Sequence, residues 1–333
     1  MASVTLRIEQ GDLLEVDADL LAVKYAQGFH ASDGLVAAML AEHGVNKRTV
    51  EDEPNEPRFT PGLGAVKAKE VLFLGTVGLG SLGYHDVRRF AARVLEVASS
   101  GQRAPRSLAL TIHGANCGLD EGESVLALAG GLIDSIQRGT LPASLETITI
   151  VEKRDARAKR LFDTLAGKLT GLPGVSLQQR AFHIERPAPS APPPGPTLPA
   201  HGTRALDEKA HAFVAMPFAP EFEDVFHYGI QQPVHRAGLL CERVDAAVFE
   251  GLIIQRILSR IATARVVVAE LSGANPNVYL EVGYAWASKV PTILLVRDVN
   301  ELRFDVKGHR CLVYRNIREL EGMLSAELGS LGR

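Results

Sequence analysis

The run Pro187-Ala188-Pro189-Ser190-Ala191-Pro192-Pro193-Pro194-Gly195-Pro196 constrains this chain more than any other stretch. Proline fixes φ and removes a backbone donor, so such a segment cannot sit inside a helix or a sheet. It has little apolar surface to bury and reads as an extended, semi-rigid spacer. The 333 residues therefore divide into a first module, residues 1–182, a Pro-rich linker, 183–207, and a second module, 208–333. Each is long enough to build its own core.

The second module alternates strand and helix patterns. Lys209–Phe218 reads as a strand ending in a Pro turn, and Gly238–Asp245 as a strand ending in a carboxylate. A helical pattern, Leu252–Ala264, leads into the β-branched run Arg265-Val266-Val267-Val268, a buried strand. The polar turn Ser272–Asn277, a helix at Val278–Ser288 and a fourth strand, Pro291–Asp298, follow. This order predicts a parallel, doubly wound sheet.

In such sheets ligands bind outside the carboxyl ends of the strands. Met216, Asp245, Asn275, Asn277 and Glu281 all fall at or just after predicted strand ends, on that one edge. Glu281, one turn into an otherwise apolar helix, is the candidate catalytic group; a solvated helix carboxylate is the plainer reading. Asn275 reads first as a helix cap, and Asn277 equally as a cap or as a partner for ribose hydroxyls. Phe218 and Trp286 have rings that stack on a base, although burial against the sheet is the simpler account of Trp286.

The segments Phe213–Phe218, Arg243-Val244-Asp245, Ala264–Gly273 and Asn275–Ala285, with Arg303-Phe304-Asp305 and Val313-Tyr314, are similar to the nucleoside 2-deoxyribosyltransferase-like and TIR-like superfamily across roughly residues 208–330. That resemblance implies a flavodoxin-like sheet and cleavage of the N-glycosidic bond of a nucleoside or of NAD. Glu281 then matches the family's nucleophile or stabiliser of the ribosyl cation. Met216, Phe218, Asp245, Glu270, Asn275 and Asn277 would contact substrate. Glu270 stands where aspartate is common and would orient substrate. Cleavage builds positive charge on the ribose, which a carboxylate beneath C1′ stabilises or attacks. Nicotinamide leaves without a proton, whereas a purine or pyrimidine needs a donor, Asp245 or Glu270.

The first module also reads as α/β. Strands are expected at Val4–Gln10, Asp19–Lys24, Val71–Gly75, Ser107–Ile112 and Thr147–Val151, with helices at Gly34–Glu42, Tyr84–Ser99, Glu121–Gln137 and Ala156–Leu169. The glycine-bearing loop His113–Glu123 joins a strand to a helix, where backbone amides can approach an anion. It lacks the full dinucleotide fingerprint, and a plain connecting loop is the simpler account.

Gln10-Gly11-Asp12-Leu13-Leu14 with Val16–Val23 resembles the opening of macro domains, and the likeness runs across roughly residues 1–175. It implies a nucleotide ligand of the NAD or ADP-ribose kind. Asp12 would bond an adenine, and Gly114, Ala115, Asn116, Cys117 and Gly118 would line the phosphates. Where macro hydrolases carry an asparagine-rich loop this chain has Lys24-Tyr25-Ala26-Gln27-Gly28-Phe29-His30, which argues against ADP-ribose hydrolysis. The N-terminal domain of leucine aminopeptidases shares the fold.

The expected fold is thus two three-layer α/β domains, macro-like and then flavodoxin-like, joined by the linker. A net charge of −3 without a basic block argues against nucleic acid. No apolar run is long enough to span a membrane, and no signal segment opens the chain. Three scattered cysteines, Cys117, Cys241 and Cys311, fit a reducing cytoplasm, and no metal motif is present. The functional expectation is an NAD-cleaving enzyme that needs no cofactor, NAD being its substrate. Nucleotide binding to the first module would control it, with self-association on activation, as in bacterial antiviral NAD-depleting systems. The alternatives are a non-catalytic nucleotide sensor and a salvage deoxyribosyltransferase.

Overall fold

The computed structural model describes residues 3–47, 50–51, 53–100, 103–115, 117–187, 209–244 and 253–331. The chain forms two compact units, Met1–Ala115 with Glu121–Asp207, and Asn116–Asp120 with Glu208–Arg333.

Unit one is built on an eight-stranded sheet. Its strands are β1 (Ser3–Gln10), β2 (Leu20–Tyr25), β3 (Pro57–Pro61), β4 (Glu70–Gly75), β5 (Ser107–Leu110), β6 (Thr147–Glu152), β7 (Val175–Gln178) and β8 (Ala181–Glu185). They lie in the order β3-β4-β2-β5-β6-β1-β8-β7. The five central strands are parallel, while β3, β7 and β8 pair antiparallel. Helices α1 (Ala31–Glu42), α2 (Tyr84–Ala98), α3 (Glu121–Arg138) and α4 (Asp155–Leu169) complete it. Central strands of a parallel sheet are covered on both faces, which is why Leu20–Val23 and Val71–Leu74 are apolar and buried throughout. Alternate residues Leu21, Val23, Val71 and Phe73 pack with Val36 and Leu40 of α1. The last strand runs to Glu185, past the module boundary expected at residue 182.

Unit two is a five-stranded, wholly parallel sheet. Its strands are β9 (His211–Ala215), β10 (Leu240–Glu242), β11 (Val266–Glu270), β12 (Thr292–Val296) and β13 (Cys311–Val313), in the order β10-β9-β11-β12-β13. Counted along the unit this is 2-1-3-4-5, the flavodoxin-like order. A π-helical stretch, Val225–Gln231, runs into α5 (Gln232–Arg236); α6 (Ile253–Thr263), α7 (Pro276–Ala287) and α8 (Ile317–Leu331) follow.

Strand parity sorts the two cores of unit two. Ala212, Val214, Val266 and Val268 pack with Phe226, Ile230, Val234, Leu320 and Leu324. Phe213, Ala215, Val267 and Ala269 pack instead with Ile257, Ile261, Val278, Val282 and Ala285. The sheet is therefore covered on both faces, as the expected doubly wound fold requires. Each buried Val, Leu, Ile or Phe of these cores contributes about 1.5–3 kcal/mol. Both α/β expectations hold: a mixed eight-stranded sheet, then an all-parallel one. No described helix is long and apolar enough to cross a membrane.

Candidate functional site

In unit two the connection from β9 leads to β10 on one side, and that from β11 leads to β12 on the other. The strand order thus reverses between β9 and β11, and a crevice opens outside their carboxyl ends. Met216 follows β9 directly and is buried, and Glu270 is the last residue of β11. After β11 the chain turns through Gly273 (φ +76°) and Ala274 (φ +48°). That left-handed pair delivers Asn275 to the start of α7, where its Oδ1 accepts from the Asn277 backbone N–H at 2.9 Å. Asn275 is therefore the helix cap, and the Asn277 side chain stays exposed.

Glu281 lies on α7 between Val278 and Val282, both buried in the core. It is half-buried and makes no hydrogen bond or ion pair to any described residue. Burial with no compensating charge pushes its carboxyl up to about 8. Such a desolvated carboxylate at the carboxyl edge makes Glu281 a candidate functional group.

Glu270 is fully buried, and its Oε1 accepts from the Ser272 N–H at 2.9 Å. The buried Tyr314 hydroxyl lies beside the same carboxylate, and burial, then the Glu270 charge, raises that phenol well above the ordinary tyrosine range. Tyr314 in turn accepts from Arg297 Nε at 3.2 Å. Glu270 Oε2 has no hydrogen-bond partner among the described residues. Phe218 sits under the Arg243 guanidinium, 4.7 Å from its ring centroid, with Phe226 at 3.8 Å from the same cation. Trp286 stacks on His309 with centroids 4.2 Å apart and packs against the core. Asp245 lies outside the described residues.

Unit one has its own reversal. From β2 the chain departs toward β4, and from β5 toward β6, so the crevice falls between β2 and β5. At its rim Lys24, near the end of β2, pairs with Asp33 of α1, and both side chains are buried. His113, just past β5, is buried too, with the Phe90 ring edge-on at 4.5 Å. Burial first, then the Lys24 charge, hold its imidazole well below the ordinary histidine range. Its Nε2 has no hydrogen-bond partner among the described residues. The half-buried His30 is shifted down for the same two reasons, against the opposing pull of Asp33.

Gly114 (φ +88°) and Gly118 (φ +86°) take left-handed conformations that other residues strain to adopt. Ala115 and Cys117 are half-buried, and Asn116 lies outside the described residues. Asp12 is engaged on both oxygens: Oδ1 accepts from the Leu14 N–H at 3.0 Å, and Oδ2 lies 3.5 Å from Lys153 Nζ.

Lys24, Asp33, His113 and Arg297 were not singled out from sequence. The available signal was positional: Lys24 and Arg297 each close an apolar strand run, where a charged residue is costly unless it is held or used.

The chain matches no protein-family model and no curated protein. Among solved structures its N-terminal region is similar to macrodomains. The Oceanobacillus iheyensis macrodomain with MES bound is 15% identical at a TM-score of 0.39, covering 50% of this chain and 93% of that one. The Trypanosoma brucei macrodomain in complex with ADP-ribose is 16% identical at 0.37, covering 47% and 67%. The macro domain of ganglioside induced differentiation associated protein 2 is 11% identical at 0.38, covering 48% and 82%.

Proposed function

We propose that unit two cleaves an N-glycosidic bond, with NAD as substrate and nicotinamide as leaving group, and that Glu281 is its catalytic carboxylate. The observation that carries this reading is Glu281 itself, half-buried and without a partner among the described residues, on the helix that follows the third strand of a 2-1-3-4-5 sheet. As the C1′–N bond of the ribose breaks, its electron pair leaves with nicotinamide, whose ring nitrogen becomes neutral. The positive charge passes to the ribose, and the Glu281 carboxylate stabilises it until water adds at C1′ and loses a proton. A cationic substrate draws the Glu281 carboxyl back toward its ordinary range, so binding itself ionises the group. Unit one binds a nucleotide at the β2/β5 crevice, and this ligand controls unit two.

One observation favours a second reading. With its carboxyl near 8, Glu281 is mostly protonated at neutral pH, and could give that proton to a departing purine. Glu281 would then act as a general acid on a nucleoside.

The test is to incubate the full chain with NAD, and separately with a purine deoxyribonucleoside, and to separate the products. Nicotinamide release by the wild type, reduced at least about 100-fold in Glu281→Gln with the fold kept, is the expected result. Unchanged rates in that variant would remove Glu281 from the reaction.

A further inference from the structure

Arg297 occupies the carboxyl edge of unit two in an arrangement that the cleavage chemistry does not use. It directly follows β12, the strand hydrogen-bonded to β11, and its backbone N–H donates to Ser272 Oγ at 2.9 Å. Its side chain is exposed but not loose. Nε donates to the Tyr314 hydroxyl at 3.2 Å, and the guanidinium lies 5.1 Å from the Phe222 ring centroid and 5.8 Å from that of Tyr314. Tyr314 is itself buried beside the Glu270 carboxylate.

The acidic neighbours are engaged elsewhere. Asp298 Oδ1 accepts from both the backbone and the side-chain amide of Asn300, each at 2.9 Å, and Glu301 Oε2 accepts from the Gly273 N–H at 2.8 Å. The two terminal amino groups of Arg297 have no partner among the described residues. A guanidinium held at Nε, flanked by two rings and open at its outer fork is preorganised for a bidentate oxyanion.

We propose that Arg297 reads a phosphate group on the substrate of unit two, so that this edge takes a nucleotide in preference to the corresponding free nucleoside. The proposal rests on the cleavage reading, because that reading places a ribose at the same edge. Arg297 is a specificity residue here, and Tyr314 is its positioning residue.

The probes are nicotinamide mononucleotide and nicotinamide riboside, which differ by one phosphate. Each is titrated calorimetrically into full-length Glu281→Gln protein, with Arg297 intact, as Arg297→Gln and as Arg297→Lys. The expected result is at least tenfold tighter binding of the mononucleotide, lost in Arg297→Gln and partly kept in Arg297→Lys, with riboside affinity unchanged. Equal affinity for the two probes when Arg297 is intact would overturn the proposal. So would a phosphate preference that survives Arg297→Gln, as one housed in unit one would. If the preference depends on Arg297 but the wild type leaves NAD, the mononucleotide and the riboside intact, the cleavage reading falls and the phosphate site stands. If the wild type cleaves the mononucleotide and the riboside equally well and Arg297→Gln changes neither rate, the reverse holds.

Discussion

The carboxyl edges of the two sheets solve the same topological problem with opposite electrostatics. In unit one the ionic groups at the reversal cancel internally: Lys24 is buried against Asp33, and His113 beside them is held neutral. In unit two, Glu281 has no partner among the described residues, and Arg297 keeps its outer fork open to them. A closed ion pair contributes shape and hydrogen-bonding groups but no reactive charge. An unpaired carboxylate raises the energy of the resting state and is stabilised when a cation forms beside it. On the proposed reading, the first edge binds and the second carries the chemistry.

The largest stability effect should come from opening the closed edge. Removing one partner of a buried ion pair strands the other, so Lys24→Met should cost about 3–5 kcal/mol in denaturant unfolding of unit one. Adding Asp33→Leu should recover most of that loss, because no charge is then left buried. A Lys24→Met protein as stable as the wild type would mean that the first edge is not closed by this pair.

How far this contrast was legible in the sequence depends on which force made each element. Strands such as Leu20–Val23 and Val266–Ala269 were legible because burial on both faces demands an unbroken apolar run. The hairpin of β7 and β8 was not, since its turn residues are Gln179 (φ +48°) and Arg180 (φ +62°). That conformation is ordinarily signalled by Asn-Gly, and neither residue announces it. Strand β3 hid for a related reason, with Pro57 and Pro61 at its ends, tolerable only because it lies at the edge of the sheet. At the site, Glu281 stood out as an acid on an apolar helix. The Lys24–Asp33 pair needed the fold to bring a strand end against α1, and Arg297 needed the Tyr314 side chain from just beyond the neighbouring strand β13.

A smaller effect, of opposite sign, belongs to the open edge. Glu281 has a folded-state pKa near 8, above the ordinary carboxyl value of 4.5. Between those values the folded state keeps a proton that the unfolded state has released, so its stability falls as pH rises and levels off above the folded value. Glu281→Gln removes that penalty. Its unfolding free energy should match the wild type in acid and exceed it increasingly up to about pH 8, by a few kcal/mol at most. A gain that does not grow with pH would mean that burial is not what shifts Glu281.

The smallest expected effect tests how α7 is positioned. Asn275→Ala removes the cap acceptor and should cost about 1 kcal/mol by thermal unfolding. A loss of turnover far beyond that stability change would mean that Asn275 also touches substrate.

The most direct test of the central contrast is the pH dependence of kcat/KM for NAD, measured from about pH 5 to about pH 9.5 on the full chain. If Glu281 acts as the ionised carboxylate, the wild type should gain about tenfold per pH unit and level off near 8, and the residual activity of Glu281→Gln should lack that limb. A wild-type profile that is flat across this range, or that falls above pH 8, would contradict the account.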